Sequence, residues 1–188
     1  MPYVFESIFQ AAVSAACVSG GNNNPSGLFN SFGYGVDTAT IGQLFIQPAT
    51  CSGRVSQFTI FWPNVNLGDF AGRGFIYEFN PVTRQTVGRQ LAAAVASIYS
   101  NGAVVSFLPV RLQPATQYAF IVTTSGLWNG RSQSTVAVDT VSLSTPFGQY
   151  PGALQGAVIL NSGNDLSLVT TGTYTLEPYN FNFAVNYV

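Results

Sequence analysis

The chain has 188 residues, of which 47% are apolar and only 7% charged, with six Arg, seven acidic residues, no Lys, no His and a net charge of −1. Globular proteins usually carry about 25% charged residues, so the surface must be built from Ser, Thr, Asn, Gln and Gly, which desolvate cheaply and suit contact with neighbouring copies or neutral glycans. This inventory excludes His-based triads and Lys nucleophiles and the usual zinc ligand set, and the singly scattered arginines (Arg54, Arg73, Arg84, Arg89, Arg111, Arg131) form no basic run for nucleic acid.

At the N-terminus, residues 8–18 (IFQAAVSAACV) are apolar and small, but the preceding MPYVFE carries an acid and no base, and Gln10 and Ser14 interrupt the run. The segment therefore reads as part of the folded protein rather than as a secretory leader, and no run of 18 apolar residues suggests a membrane span. Cys17 and Cys51 allow one pairing. They are either a disulfide, worth about 3–4 kcal/mol in an oxidising compartment, or two buried thiols. The tract GGNNNPSG at 20–27 is a loop by composition. Residues 1–27 are thus expected to form an N-terminal arm with a flexible loop, and 28–188 a single β-sandwich domain.

Short β-type runs follow, punctuated by Gly, Pro and Asn. The first, 40–47 (TIGQLFIQ), is closed by Pro48. The second, 55–62 (VSQFTIFW), alternates so that Phe58, Ile60 and Trp62 share one face and Val55 and Phe61 the other, which predicts a strand covered on both sides. Next, 74–79 (GFIYEF) runs into NPVT at 80–83, a turn with Pro81 in its second position, and returns as 86–91 in a hairpin. The stretch 91–99 (LAAAVASIY) fits a helical turn by its alanines and a strand by its neighbours. Strands are expected at 103–108 and 117–124, joined through a corner at Pro114. Later strands are expected at 134–143, 156–161, 166–173 and 180–187. In the last, Phe181, Phe183, Val185 and Tyr187 alternate with Asn180, Asn182, Ala184 and Asn186, as in a half-buried strand with an Asn-lined outer face. About ten strands without crossover helices predict an all-β, antiparallel, two-sheet sandwich of jelly-roll-like form.

Candidate chemistry is sparse. Two carboxylates facing a cleft suffice for glycoside hydrolysis, and Asp69 with Glu78 or Asp139 with Asp165 are the available pairs. Isolated acids beside Gly, Asn and Ser are more simply solvated turn residues, and the chain is read as a non-enzyme. The loops 64–69 (NVNLGD) and 161–165 (NSGND) carry alternating side-chain oxygens, so Asn161, Asn164 and Asp165 are candidate ligands for weakly held calcium, against the plainer reading of an Asx turn. No other cofactor is expected. For a neutral glycan, Trp128 in a loop context, with Asn129 and Arg131, is the candidate stacking platform, while Trp62 at a strand end reads as core.

The segments 32–48 (FGYGVDTATIGQLFIQP), 55–62, 74–88, 110–127 (VRLQPATQYAFIVTTSGL), 150–170 and 180–185 resemble, in this order, a family of secreted bacterial β-sandwich proteins, many of which carry a C-terminal PEP-CTERM sorting signal. The resemblance covers roughly residues 32–187 and rests on packing and turn motifs. It implies a β-sandwich and a surface location rather than an activity. The family's Pro-Glu-Pro anchor, apolar helix and basic tail are not found here, so export by another route or direct assembly into a particle is expected. Taken together, the sequence predicts a non-enzymatic structural subunit that self-associates in an extracellular layer, filament, appendage or virion coat. The alternative is a carbohydrate-binding surface module. The expected partners are other copies or neighbouring coat subunits, possible glycans, and neither nucleic acid nor a membrane span.

Overall fold

β-Branched and aromatic side chains in period-two runs, cut by Gly and Pro, direct the backbone into ladders rather than helices. The computed structural model describes residues 32–47, 53–61, 69–128, 130, 133–135, 140–142, 154–177 and 179–188. Within them lie twelve strands: β1 (Phe32–Tyr34), β2 (Thr40–Ile46), β3 (Arg54–Phe61), β4 (Phe70–Asn80), β5 (Gln85–Tyr99), β6 (Gly102–Arg111), β7 (Gln117–Thr123), β8 (Gln133–Thr135), β9 (Thr140–Ser142), β10 (Leu154–Leu160), β11 (Thr175–Leu176) and β12 (Tyr179–Tyr187). One helical turn, α1 (Leu168–Thr171), interrupts them. The all-β antiparallel class expected from the sequence is what the chain adopts.

The layers arise differently from the expected pair of stacked sheets. A single run of hydrogen-bonded strands has the order β11-β10-β2-β7-β4-β5-β6-β3-β12-β9, with β1 and β8 paired apart. β3 lies beside β6 after the β4-β5-β6 meander, a Greek-key arrangement. The sheet curls until its two arms face each other across one core. The ring of Phe58 in β3 stacks on Phe120 in β7 at 4.2 Å and 9°, and Phe45 stacks on the same Phe120 at 4.5 Å. Gln43, fully buried in β2, joins the arms directly: its Oε1 accepts the Phe181 N–H of β12 at 2.8 Å, and its Nε2 donates to the Gly156 carbonyl of β10 at 3.1 Å. A curl this tight needs small residues on its concave side. A methyl on Gly74 would strike the Val105 side chain, and one on Gly72 would come within 2.7 Å of Ile98 Cδ1.

A second apolar cluster covers part of the convex face. Leu44, Phe75, Tyr77, Phe79, Ala119, Ile121 and Val158 point outward from β2, β4, β7 and β10, and Val169, Tyr174 and flanking leucines close over them. Here the expected strand at 166–173 is corrected: the segment turns into α1. Asp165 Oδ1 accepts both the N–H and the hydroxyl of Ser167, at 2.9 and 2.7 Å, which sets an Asx turn just where a strand would begin. The two-sided face assignment of 55–62 also changes. A register shift between Val55 and Gln57 rotates Val55 onto the side of Phe58 and Ile60, and all three enter the inner core; Trp62 lies outside the described residues.

The 91–99 stretch resolves as strand, within the 15-residue β5. The expected strand 134–143 is represented by β8 and β9, with the intervening residues outside the described ones. The 80–83 turn and its hairpin form as expected, Asn80 Oδ1 accepting the N–H groups of Val82 and Thr83. The Pro114 corner forms too, locked by the Gln113 N–H donating to the Tyr118 hydroxyl at 2.8 Å. In β12, Phe181, Phe183 and Val185 are fully buried and Tyr187 packs against them. The 1–27 arm and the Cys17–Cys51 pair lie outside the described residues.

Candidate functional site

Three connections meet at one end of the β2-β7-β10 arm: residues 35–39, 124–128 and 161–167. Their floor is a chain of buried hydroxyls. Thr123 Oγ1 donates to the Ala39 carbonyl at 3.0 Å; Thr40 and Thr123 hydroxyls lie 2.6 Å apart, Thr40 and Ser162 2.6 Å, and Ser125 and Ser162 2.7 Å. Each hydroxyl has one proton; Thr123 spends its own on the Ala39 carbonyl at one end and Ser125 on the Gly163 carbonyl at 3.0 Å at the other, with the Thr40 and Ser162 hydroxyls bridging between them. All four residues are buried, and the network fixes loops rather than offering a nucleophile. No local motif marks it, because its members come from three separate segments.

On this floor the structure brings together candidates that the sequence held apart. The Trp128 N–H donates to Asn164 Oδ1 at 3.2 Å, and the Gly126 N–H to the Asn164 carbonyl at 3.0 Å, so the Trp128 loop is held by the 161–165 loop. The Trp128 side chain is nonetheless 48% exposed. Asn129 and Arg131 lie outside the described residues.

The side-chain oxygens proposed for calcium are engaged by protein donors. Asn161 Oδ1 is bonded to the Thr38 hydroxyl at 3.0 Å, Asn164 Oδ1 accepts Trp128, and Asp165 Oδ1 accepts Ser167. The Ser167 bonds hold the Asp165 carboxyl below the ordinary aspartate value. Among the described residues no three His, Cys, Asp or Glu gather into a metal-binding group. Asp69 and Glu78 are not brought together: they are nine residues apart along one extended segment, about 30 Å at roughly 3.3 Å per residue, against the 5–10 Å or so that paired glycosidase carboxylates need. Asp139 lies outside the described residues. A shallow depression of about 240 Å³ lies beside Asp69, Phe70, Ser97 and Tyr99.

No family model, curated protein or solved structure matches the chain.

The remaining feature is a surface. While its own 166–176 segment covers the convex face of β2, β4, β7 and β10 and the start of β5, among the described residues the convex face farther along β5 and β6 carries an exposed apolar patch. Val95 is 71% and Leu108 91% exposed there, with Ala93 and Tyr99 also exposed. The polar groups beside it pair with one another across strands: Asn186 Nδ2 donates to Gln57 Oε1 at 2.8 Å, and Gln57 Nε2 to Ser106 Oγ at 3.1 Å. Groups already bonded within the sheet lose little when water leaves. No helix among the described residues is long and apolar enough to cross a membrane.

Proposed function

We propose that this protein is a non-enzymatic structural subunit that self-associates in an extracellular or particle-surface assembly, packing the convex patch on β5 and β6 against another copy. The observation that carries this reading is the exposed patch on β5 and β6, with Val95 and Leu108 open to solvent and the amides beside it paired with one another. When identical surfaces meet, each charge risks facing its own sign; the patch formed by Ala93, Val95, Ser106 and Leu108 carries no charge, and Arg54, Arg89 and Arg111 lie farther along the same strands. The surface location belongs to the same proposal and draws on the likeness read from the sequence alone, over residues 32–187, to secreted bacterial β-sandwich proteins. Sedimentation of the full chain is expected to give assemblies well above the 20.0 kDa monomer. The Leu108→Asp and Val95→Asp variants, whose substitutions are solvent-exposed and leave the fold intact by circular dichroism, should shift the distribution toward monomer by tenfold or more in dissociation constant. A parent protein that sediments as a monomer at all concentrations overturns the proposal.

A second reading, a carbohydrate-binding surface module, draws on one observation: an exposed indole mounted on loops that hydrogen bonds hold in place. Aromatic faces stack on sugar rings, and a fixed platform loses little entropy on binding. Trp128→Ala is then expected to abolish retardation in affinity gels cast with neutral polysaccharides such as xylan or hydroxyethylcellulose. Equal mobility of parent and variant in every gel sinks this reading.

A further inference from the structure

The arginines that look scattered in the sequence are not all isolated in the fold. Arg54 opens β3 and Arg111 closes β6, and the ladder places them directly opposite each other, both exposed. Like charges facing across a ladder are mildly unfavourable, and in a chain with so few charges the juxtaposition concentrates a large share of its positive charge at one point. Among the described residues neither guanidinium has a carboxylate partner. Val188 exchanges two backbone hydrogen bonds with Arg54, at 2.9 Å each; a carboxylate there would offset one guanidinium and leave the pair net positive.

The aspartates gather at the other end of the strands. Asp37 and Asp165 sit on the loops joined by the Gly163 N–H bond to the Asp37 carbonyl. Asp69 immediately precedes β4, whose first residues pair with the end of β5. The ladders fix the polarity: Phe61 and Gly102 lie at the aspartate end, and Arg54 and Arg111 at the opposite end of those same two strands. The eight-residue β3 separates the two by about 25 Å. The other described charges do not cancel this polarity. Arg73, opposite Thr123, offsets one of the three aspartates at their end; Glu78 offsets one arginine toward the other end, where Arg84 and Arg89 add to the positive side; and Glu177 follows β11.

We infer that copies of this chain associate head to tail along the strand direction, the Arg54–Arg111 pair of one copy docking on the aspartate-bearing loop end of the next. The inference rests on the self-association proposed above and adds a second contact to it. Unlike the convex face, which meets its own kind, this contact joins two different surfaces and is heterologous, so it propagates without closing. Charge complementarity identifies the occupant as a second copy: one end offers the charge the other lacks, and exposed pairs of this kind set orientation more than affinity. Combined with the lateral face, which pairs two copies, an axial contact generates a paired filament.

Charge-reversal complementation tests it. Arg54→Glu/Arg111→Glu makes both ends acidic, and Asp37→Lys/Asp69→Lys makes the loop end basic; Asp165 is left alone because its carboxylate holds the turn that precedes α1. Each variant alone, folded by circular dichroism, is expected to lose the large assemblies seen by light scattering and retain at most lateral oligomers. An equimolar mixture should recover them, because acidic ends again meet basic ones, and parent assemblies should shrink as salt rises from about 0.05 to 0.5 M and the Debye length shortens. Assemblies of unchanged size in either double variant overturn the head-to-tail contact while leaving lateral association standing. A monomeric parent overturns both, and variants that dissociate but fail to complement each other overturn the pairing of these two ends.

Discussion

Among individual side chains, Gln43 and Tyr174 show how a charge-poor chain uses polarity inside its core. Gln43 is a fully buried amide that satisfies backbone groups on two strands at once, so the arms of the curl are fixed relative to one another by direction as well as by packing. Tyr174 is buried with its hydroxyl donating to the Val169 carbonyl at 2.9 Å and with Phe79 against its ring edge. Burial, reinforced by the nearby Tyr77, pushes its phenol far above the ordinary value of 10.0. A group whose pKa is raised by folding contributes stability that is fully present below its unfolded value and lost above it, because only the unfolded chain then releases the proton. Denaturant titrations are therefore expected to show stability that falls above pH 10 by up to about 1.4 kcal/mol per pH unit from this residue. Tyr174→Phe should lose about 1 kcal/mol at pH 7 with its hydrogen bond yet decline less steeply above pH 10. Parallel pH curves for the two proteins count against this assignment.

At the level of elements, what could be read in the sequence was whatever repeats with a short period. The strict alternation of 180–187 and the Pro corner at 114 are local signals, and the chain follows them. The bulge that turns Val55 inward is a mismatch between neighbouring strands and leaves no mark in β3 alone. The segment 166–173 was misread because its apolar residues fit either period, and the deciding signal was the Asp165-to-Ser167 turn ahead of it. Of the candidate site, Trp128 and the 161–165 loop were visible as residues, but their contact and the hydroxyl floor exist only between distant segments. The same holds for Gly74, which reads as a strand weakener but accommodates Val105 on the concave side. Gly74→Ala is expected to destabilise by about 1–3 kcal/mol through overpacking. Adding Val105→Ala should recover part of that loss, and equal stability of the single and double variants would show that crowding is not the cause.

For the whole molecule, a single curled sheet gives a charge-poor chain a closed core while leaving an apolar patch exposed on its convex side. The inner core and the covered part of the convex face, both rich in the chain's own aromatics, hold it folded, and the exposed patch at Val95 and Leu108 is the surface proposed for self-association. The same curl has a kinetic consequence. β12 is the last strand, yet it supplies Phe181, Phe183 and Val185 to the centre of the core and receives the Gln43 latch from the second. Closure therefore joins the beginning of the described chain to its end, a contact of high sequence separation whose entropy is lost before its packing is gained. Until β12 docks, the sheet is open along β3 and its aromatic lining uncovered, so folding is expected to be slow, with the closing of β12 as its late step.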